Sequence, residues 1–224
     1  MEVDTQNEIS WHLSALPPKT KKALDFLSAQ KWLEKSSWYL AGGTALALQA
    51  GHRKSVDLDF FTQERDFNDV TLLNHFAGNN DWKITINQEG TVYGELFGAK
   101  ISFIAYPFFI PEGYAKYGSL KVIRSVDVAV MKIIAISQRG RKRDFFDLYW
   151  CAKNVEPLEI TAKRLKKQYP AVAHDYHHIL KSLVYFADAE DDPMPEIKFK
   201  ANWSEVKKFF MREVPELAHK LLAP

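Results

Sequence analysis

Two aspartates one residue apart, Asp57 and Asp59, lie in the stretch "WYLAGGTALALQAGHRKSVDLDFFT" (38–62), downstream of Gly42, Gly43 and Thr44. In an extended strand residues i and i+2 share a face, so the two carboxylates would project together, about 7 Å apart along the backbone. Carboxylates held that close repel, and one pKa rises unless a cation sits between them. Magnesium, or manganese in its place, suits the role. Magnesium is hard, prefers oxygen, and is commonly held by one or two carboxylates plus substrate phosphates. A Gly-Gly turn lets backbone N–H groups approach a phosphate without Cβ obstruction, and a helix beginning near Thr44 points its positive end to the same place. Singly, a Gly-Gly pair reads as an ordinary turn and Asp-x-Asp as a solvated strand face. Together they read as two sides of one site for nucleotide chemistry.

The elements that would position these residues follow from the hydrophobic pattern. "SWYLAG" reads as a short buried strand, Gly42 and Gly43 as a tight turn, and "TALALQAG" as a helix started by Thr44 and closed near Gly51. "SVDLDFF" is the next strand, with Val56, Leu58 and Phe60 on one face and the aspartates on the other. A packing helix is expected over 19–36, another around 67–77, and strands over 82–88, 91–97 and 99–108. From about residue 125 the pattern turns helical: 125–139, then "KRDFFDLYWCAKN", then 158–169, 174–187 and 203–212, with "EDDPMP" (190–195) as a linker. The expectation is an α+β fold: a mixed-sheet domain over 1–124 and a helical lobe over 125–224 that completes the cleft.

Composition bounds the setting. The chain has 224 residues, 46% hydrophobic and 26% charged, as in globular proteins with a sizeable core. Cys151 is the single cysteine, which excludes an internal disulfide framework and favours a reducing cytoplasm. The start, "MEVDTQNEISWHL", is acidic and polar, unlike a signal peptide, and no apolar run reaches membrane-spanning length. The net charge of +2 hides dense basic runs, "RGRKR" (139–143) and "KRLKK" (163–167), against the acidic "DAEDD" (188–192). A basic run reads either as a solvated helix face or as a contact for phosphate-rich partners.

The stretch "GGTALALQAGHRKSVDLDFF", the strand "GAKISFIAYPF" and the block "DVAVMKIIAISQRGRKRDFFDLYW" (127–150) resemble the AbiEii/AbiGii toxin family. That family belongs to the polymerase-β-like nucleotidyltransferase superfamily and includes the toxin halves of type IV toxin–antitoxin pairs. The resemblance covers 38–150 and fades beyond. It implies that Gly43 and Thr44, with Gly42 beside them, hold the nucleotide phosphates and that Asp57 and Asp59 bind the metal. It implies further that Lys132 contacts the triphosphate, with Asp144 and Asp147 as the acidic residues that follow. Arg139 is a further phosphate contact, two helical turns from Lys132 on one face. Ordinary structural readings stand beside these: a lysine snorkelling from a core helix, an acidic pair at a helix N-terminus, or an Arg143–Asp147 pair at i+4.

Many relatives in the wider superfamily carry a third carboxylate where this chain has Ser102, and a hydroxyl cannot replace it as a base. Either Asp144 or Asp147 takes that role, or Glu95 does, or catalysis is weak. The sequence and the resemblance therefore point to a metal- and NTP-dependent nucleotidyltransferase toxin with a cognate antitoxin. The resemblance implies as acceptor an RNA end, such as a tRNA 3′ end, or a protein hydroxyl, and the basic run 139–143 beside the site favours RNA. The competing reading is a nucleotidyltransferase-like module that binds nucleotide or protein without turnover.

Overall fold

The computed structural model describes residues 10–222. Most of the polar N-terminal stretch, and so the first residues of the expected 1–124 domain, falls outside that range. Strands β1 (Tyr39–Ala41), β2 (Leu58–Thr62), β3 (Trp82–Gln88), β4 (Thr91–Leu96), β5 (Ala99–Ala105), β6 (Tyr114–Tyr117) and β7 (Leu120–Ile123) form one mixed sheet in the order β3-β4-β5-β2-β1-β7-β6. β2 runs antiparallel to β1 and parallel to β5, and β1 runs parallel to β7. One face of the sheet is closed off by packing: Leu40, Phe60, Ile101, Phe103 and Val122, which register places on that same face, are fully or almost fully buried, while along β2 they alternate with less buried residues.

Helices α1 (Pro18–Ser28) and α2 (Lys31–Lys35) precede the sheet, α3 (Gly42–Ala50) connects β1 to β2, and α4 (Asp69–Asn74) follows β2. After β7 the described chain has no further strand: α5 (Ser125–Arg139), α6 (Lys142–Asn154), α7 (Leu158–Gln168), α8 (Tyr176–Leu183), the short α9 (Ala187–Glu190) and α10 (Trp203–Leu222) complete it. The fold is the mixed α and β arrangement that the pattern predicts.

Several expectations are corrected. The helix expected over 19–36 breaks at Ala29–Gln30. Val56 is not on the core face of a strand: β2 begins only at Leu58, and Val56 is 50% exposed. Its carbonyl instead accepts a hydrogen bond from Thr20 at 2.8 Å. The hairpin β6–β7 went unread although Gly118-Ser119 joins two alternating runs. The last helix continues through Pro215 to Leu222, because Val214 and Leu217 beside the proline are buried and offset its missing N–H.

The two sequence regions are interleaved. The segment between α9 and α10 returns to the β1–β2 connection, where Lys54 N donates to the Glu196 carbonyl and Lys198 N to that of His52. An isolated bridge joins Arg53 to Ile197. α5 packs against α3, so the strand-turn-helix that carries the glycines is backed by the helical region.

Candidate active site

β1 ends at Ala41, and the chain turns into α3 through Gly42, whose φ of +68° only glycine adopts without strain. A Cβ there would meet Asp59 Oδ2 at 3.0 Å, and one on Gly43 would lie 2.2 Å from Arg53 Nη2. Both glycines are therefore required by neighbours that belong to the site. Register places Asp59 opposite Ala41 on one side and Ser102 on the other, and Ser102 donates to Asp59 Oδ1 at 2.8 Å. Asp57 lies just before β2, and its side chain keeps 32% of its surface exposed.

Asp57, Asp59, Gly42 and Gly43 line a cavity of about 410 Å³ between the sheet and α5. Its positive wall is Arg53, Lys132, Arg139 and Arg143, and Phe61, Tyr106 and Tyr169 give it an aromatic side. Lys132 and Arg139 lie on one face of α5, both towards this space. Of the "RGRKR" run only Arg139 and Arg143 face the cavity. Arg141 pairs with Asp192 at 2.9 Å, and the buried Lys142 ammonium donates to the carbonyls of Glu190 and Asp192. Much of "KRLKK" is also neutralised, through Lys163–Glu159, Arg164–Glu156 and Lys167–Glu112.

Three expected contacts turn out to act from behind the wall. Thr44 is buried, and its hydroxyl donates to the Asp57 carbonyl and shares a 2.9 Å hydrogen bond with Ser55. It fixes the segment that carries Asp57 and does not face the cavity. Asp144 and Asp147 are fully buried and also do not line it. Asp147 accepts a fork from Arg53, Nε to Oδ1 at 2.5 Å and Nη2 to Oδ2 at 2.8 Å, and contacts His52 Nε2 at 2.8 Å. Lys132 Nζ bridges Asp144 at 2.5 Å and Asp147 at 2.8 Å, and Arg139 Nε lies 3.4 Å from Asp144. The acids cannot reach the cavity because their charge is taken up in orienting the cations that do.

The electrostatics follow from this packing. Burial alone would raise the Asp147 carboxyl, but Arg53 and Lys132 hold it well below its ordinary value; burial and Arg53 would lower the Lys132 ammonium, but Asp144 and Asp147 hold it above its own. Burial holds His52 below its usual value in spite of Asp147, so the ring is neutral near pH 7. Asp59 goes the other way: burial raises it, Ser102 pulls back, and the Asp57 charge adds to the rise.

A carboxylate destabilised by desolvation and by a second carboxylate is what a bound cation would relieve, and the donors here are all oxygen. No group of three or more His, Cys, Asp or Glu side chains suited to an ion occurs among the described residues. Asp57 and Asp59 would thus supply two ligands and leave the rest to water and phosphate, which fits magnesium. The sequence reading missed Arg53 and Ser55, and it gave Arg143 a different partner. The Arg143 guanidinium sits 3.8 Å from Asp57, where Asp147 had been the i+4 candidate. Arg53 stands between the motif's glycines and aspartates, in the polar run "HRKS" (52–55), and that position within the motif was its only signal.

A mixed sheet with paired carboxylates beside a glycine turn and a basic helix defines the nucleotidyltransferase class of fold. A candidate nucleotidyltransferase of Helicobacter pylori superposes with a TM-score of 0.54 at 18% identity, covering 92% of this chain and 97% of its own. MenT4, a nucleotidyltransferase toxin of Mycobacterium tuberculosis H37Rv, gives 0.51 at 13% identity, with 92% and 90% covered. An uncharacterized protein of Aquifex aeolicus (strain VF5) is 37% identical over 185 residues, 81% of this chain and 88% of that one. The family described as nucleotidyl transferase AbiEii toxin, type IV TA system, matches residues 25–89 and 79–222. The chain belongs to the AbiEii nucleotidyltransferase toxin family.

Proposed function

We propose that the protein transfers an NMP from an NTP to a hydroxyl at an RNA end, such as the 3′ end of tRNA. It would act in the cytoplasm as a toxin held in check by a cognate antitoxin. The observation that carries this reading is the cavity in which Asp57 and Asp59 face Arg53, Lys132, Arg139 and Arg143. One wall suits a divalent cation and the other a triphosphate.

Asp57 and Asp59 would hold magnesium, or manganese, with Ser102 fixing the rotamer of Asp59. When bound, the ion neutralises charge on the transferring phosphoryl group and orients it. The half-exposed Arg139 and Arg143 are free to close on the β- and γ-phosphates, while Arg53 and Lys132 form a fixed positive floor. Backbone at Gly42 and Gly43 allows phosphate oxygens to approach closely. Glu95 lines the space beside the two aspartates, and Asp144 and Asp147 do not, which favours Glu95 as the base for the acceptor hydroxyl.

The test is incubation with each α-labelled NTP, magnesium and total RNA. Labelled RNA is expected from the wild type and none above background from Asp59→Asn, which removes charge at constant volume. Expression should slow growth, and the same substitution should relieve it. Undiminished transfer by Asp59→Asn would sink the assignment. Ser102 in place of an acid supports a second reading, a module that binds nucleotide without turnover. Tight magnesium-dependent NTP binding with no labelled product would favour that reading.

A further inference from the structure

A second hollow, of about 470 Å³, opens from the same two aspartates over the outer strands, where Ile86, Tyr93, Glu95 and Lys100 line it. Sheet register builds its floor. Asp59 pairs with Ser102, Ser102 with Tyr93, and Tyr93 with Ile86, giving one row across β2, β5, β4 and β3. The neighbouring row carries Lys100, Glu95 and Lys83. Paired residues share a face, so an aromatic platform and two lysines lie on the surface that leads to the carboxylates. Tyr93 is 38% exposed and Ile86 48%, so both side chains are open to a ligand in the hollow. Tyr93 also borders the triphosphate cavity, whereas Ile86 and Lys100 line only this second space.

In-line displacement at phosphorus places the attacking and leaving oxygens on opposite sides. Two hollows meet at Asp57 and Asp59, one running over β3, β4 and β5 and the other towards α5. The basic one suits the departing pyrophosphate, which leaves the other for the acceptor. Sequence-tolerant binding of single strands combines exposed aromatic rings with positive charge along the backbone, and RNA ends are read as unstacked bases on such rings. The volume fits about one or two nucleotides and not a duplex.

We infer that this hollow is the acceptor subsite. The end of a single-stranded RNA stacks on Tyr93 beside Ile86, Lys100 meets its phosphate, and the terminal hydroxyl is delivered to Asp57 and Asp59 from the side opposite the triphosphate. The inference rests on the transferase reading above. In the step itself the acceptor oxygen bonds to the α-phosphorus as the bond to pyrophosphate breaks. Pyrophosphate keeps the electron pair, and the hydroxyl proton passes to Glu95.

Steady-state labelling of total RNA by the full chain tests this, with the half-saturating RNA and NTP concentrations measured separately. Lys100→Ala and Ile86→Asp are expected to raise the RNA value about tenfold and leave the NTP value within about twofold. Tyr93→Ala should weaken RNA more than Tyr93→Phe, which keeps the ring. Anisotropy with a short fluorescein-labelled single-stranded RNA should show a salt slope shallower by about 0.7 to 1 in Lys100→Ala. Variants that shift the NTP value alone, or change neither value while the wild type labels RNA, overturn the subsite. Label appearing on protein overturns the RNA occupant. If the wild type labels nothing, the transferase reading fails and anisotropy still decides: an unchanged slope and affinity in Lys100→Ala overturn the subsite, and a loss supports it.

Discussion

Removing the Lys132 ammonium would leave Asp144 and Asp147 buried with Arg53 and Arg139 as the remaining cations and His52 as a neutral partner. Breaking one partner from a buried ion network costs about 3–5 kcal/mol, so Lys132→Met should lower urea stability by about that much as well as reducing transfer. The same cluster predicts an acid limb. Below about pH 6.5 the unfolded chain takes up a proton at His52 that the folded chain, with its lowered value, refuses. Stability from neutral His52 is therefore present above that pH and lost as pH falls through the folded value. Asp147, held well below its ordinary range by Arg53 and Lys132 in spite of burial, adds a further loss below about pH 3.9. Urea midpoints measured from pH 7 to 5 should fall for the wild type and flatten in His52→Gln; a wild-type midpoint independent of pH would refute this account. At this scale the sequence made residue types legible but not their partners. Lys132, Asp144 and Asp147 stood out by motif, yet Arg53, 94 positions before Asp147, could be matched to it only once the chain was folded.

At the scale of elements, the β1–α3 junction is the part with least tolerance. A Cβ on Gly43 would overlap the Arg53 guanidinium, so the fork to Asp147 must move to admit it. Gly43→Ala should cost about 1–3 kcal/mol by overpacking and weaken NTP binding through the displaced cation, read by urea melts and titration with a labelled NTP. Wild-type stability and affinity together would show that the junction has more room than its geometry indicates. Strands β3 and β4 were legible almost to the residue because strong β-formers alternate with clear turn signals, and so was the start of β5, which ends at Ala105 and not at 108. The β6–β7 hairpin was not read in spite of Gly118-Ser119, because its runs of four residues are short. The start of β2 was not, because the bond that takes Val56 out of the strand comes from Thr20, far away in sequence.

For the whole molecule, the cleft has one wall on the sheet and one on α5, with α6 behind it supplying the buried acids. The sequence showed where strands give way to helices but not that residues 196–198 return to pair with 52–54, which binds the later part of the chain to the connection that carries Arg53. We propose that a boundary near residue 124 separates element types without separating folding units; unfolding followed by tryptophan fluorescence and by far-UV circular dichroism should then coincide in one transition. A ligand bridging both walls stabilises that single unit. With a non-hydrolysable NTP and magnesium at about 100 times Kd, the gain is about 2.7 kcal/mol, or about 5–10 °C in Tm for a chain of this size. Asp59→Asn from the sheet wall and a double Arg139→Ala/Arg143→Ala variant from the helical wall should each abolish most of that shift, although the substituted side chains belong to different halves of the chain. A shift lost in one variant and kept in the other would mean that nucleotide rests on a single wall, and the cleft would then not be the unit that binds it.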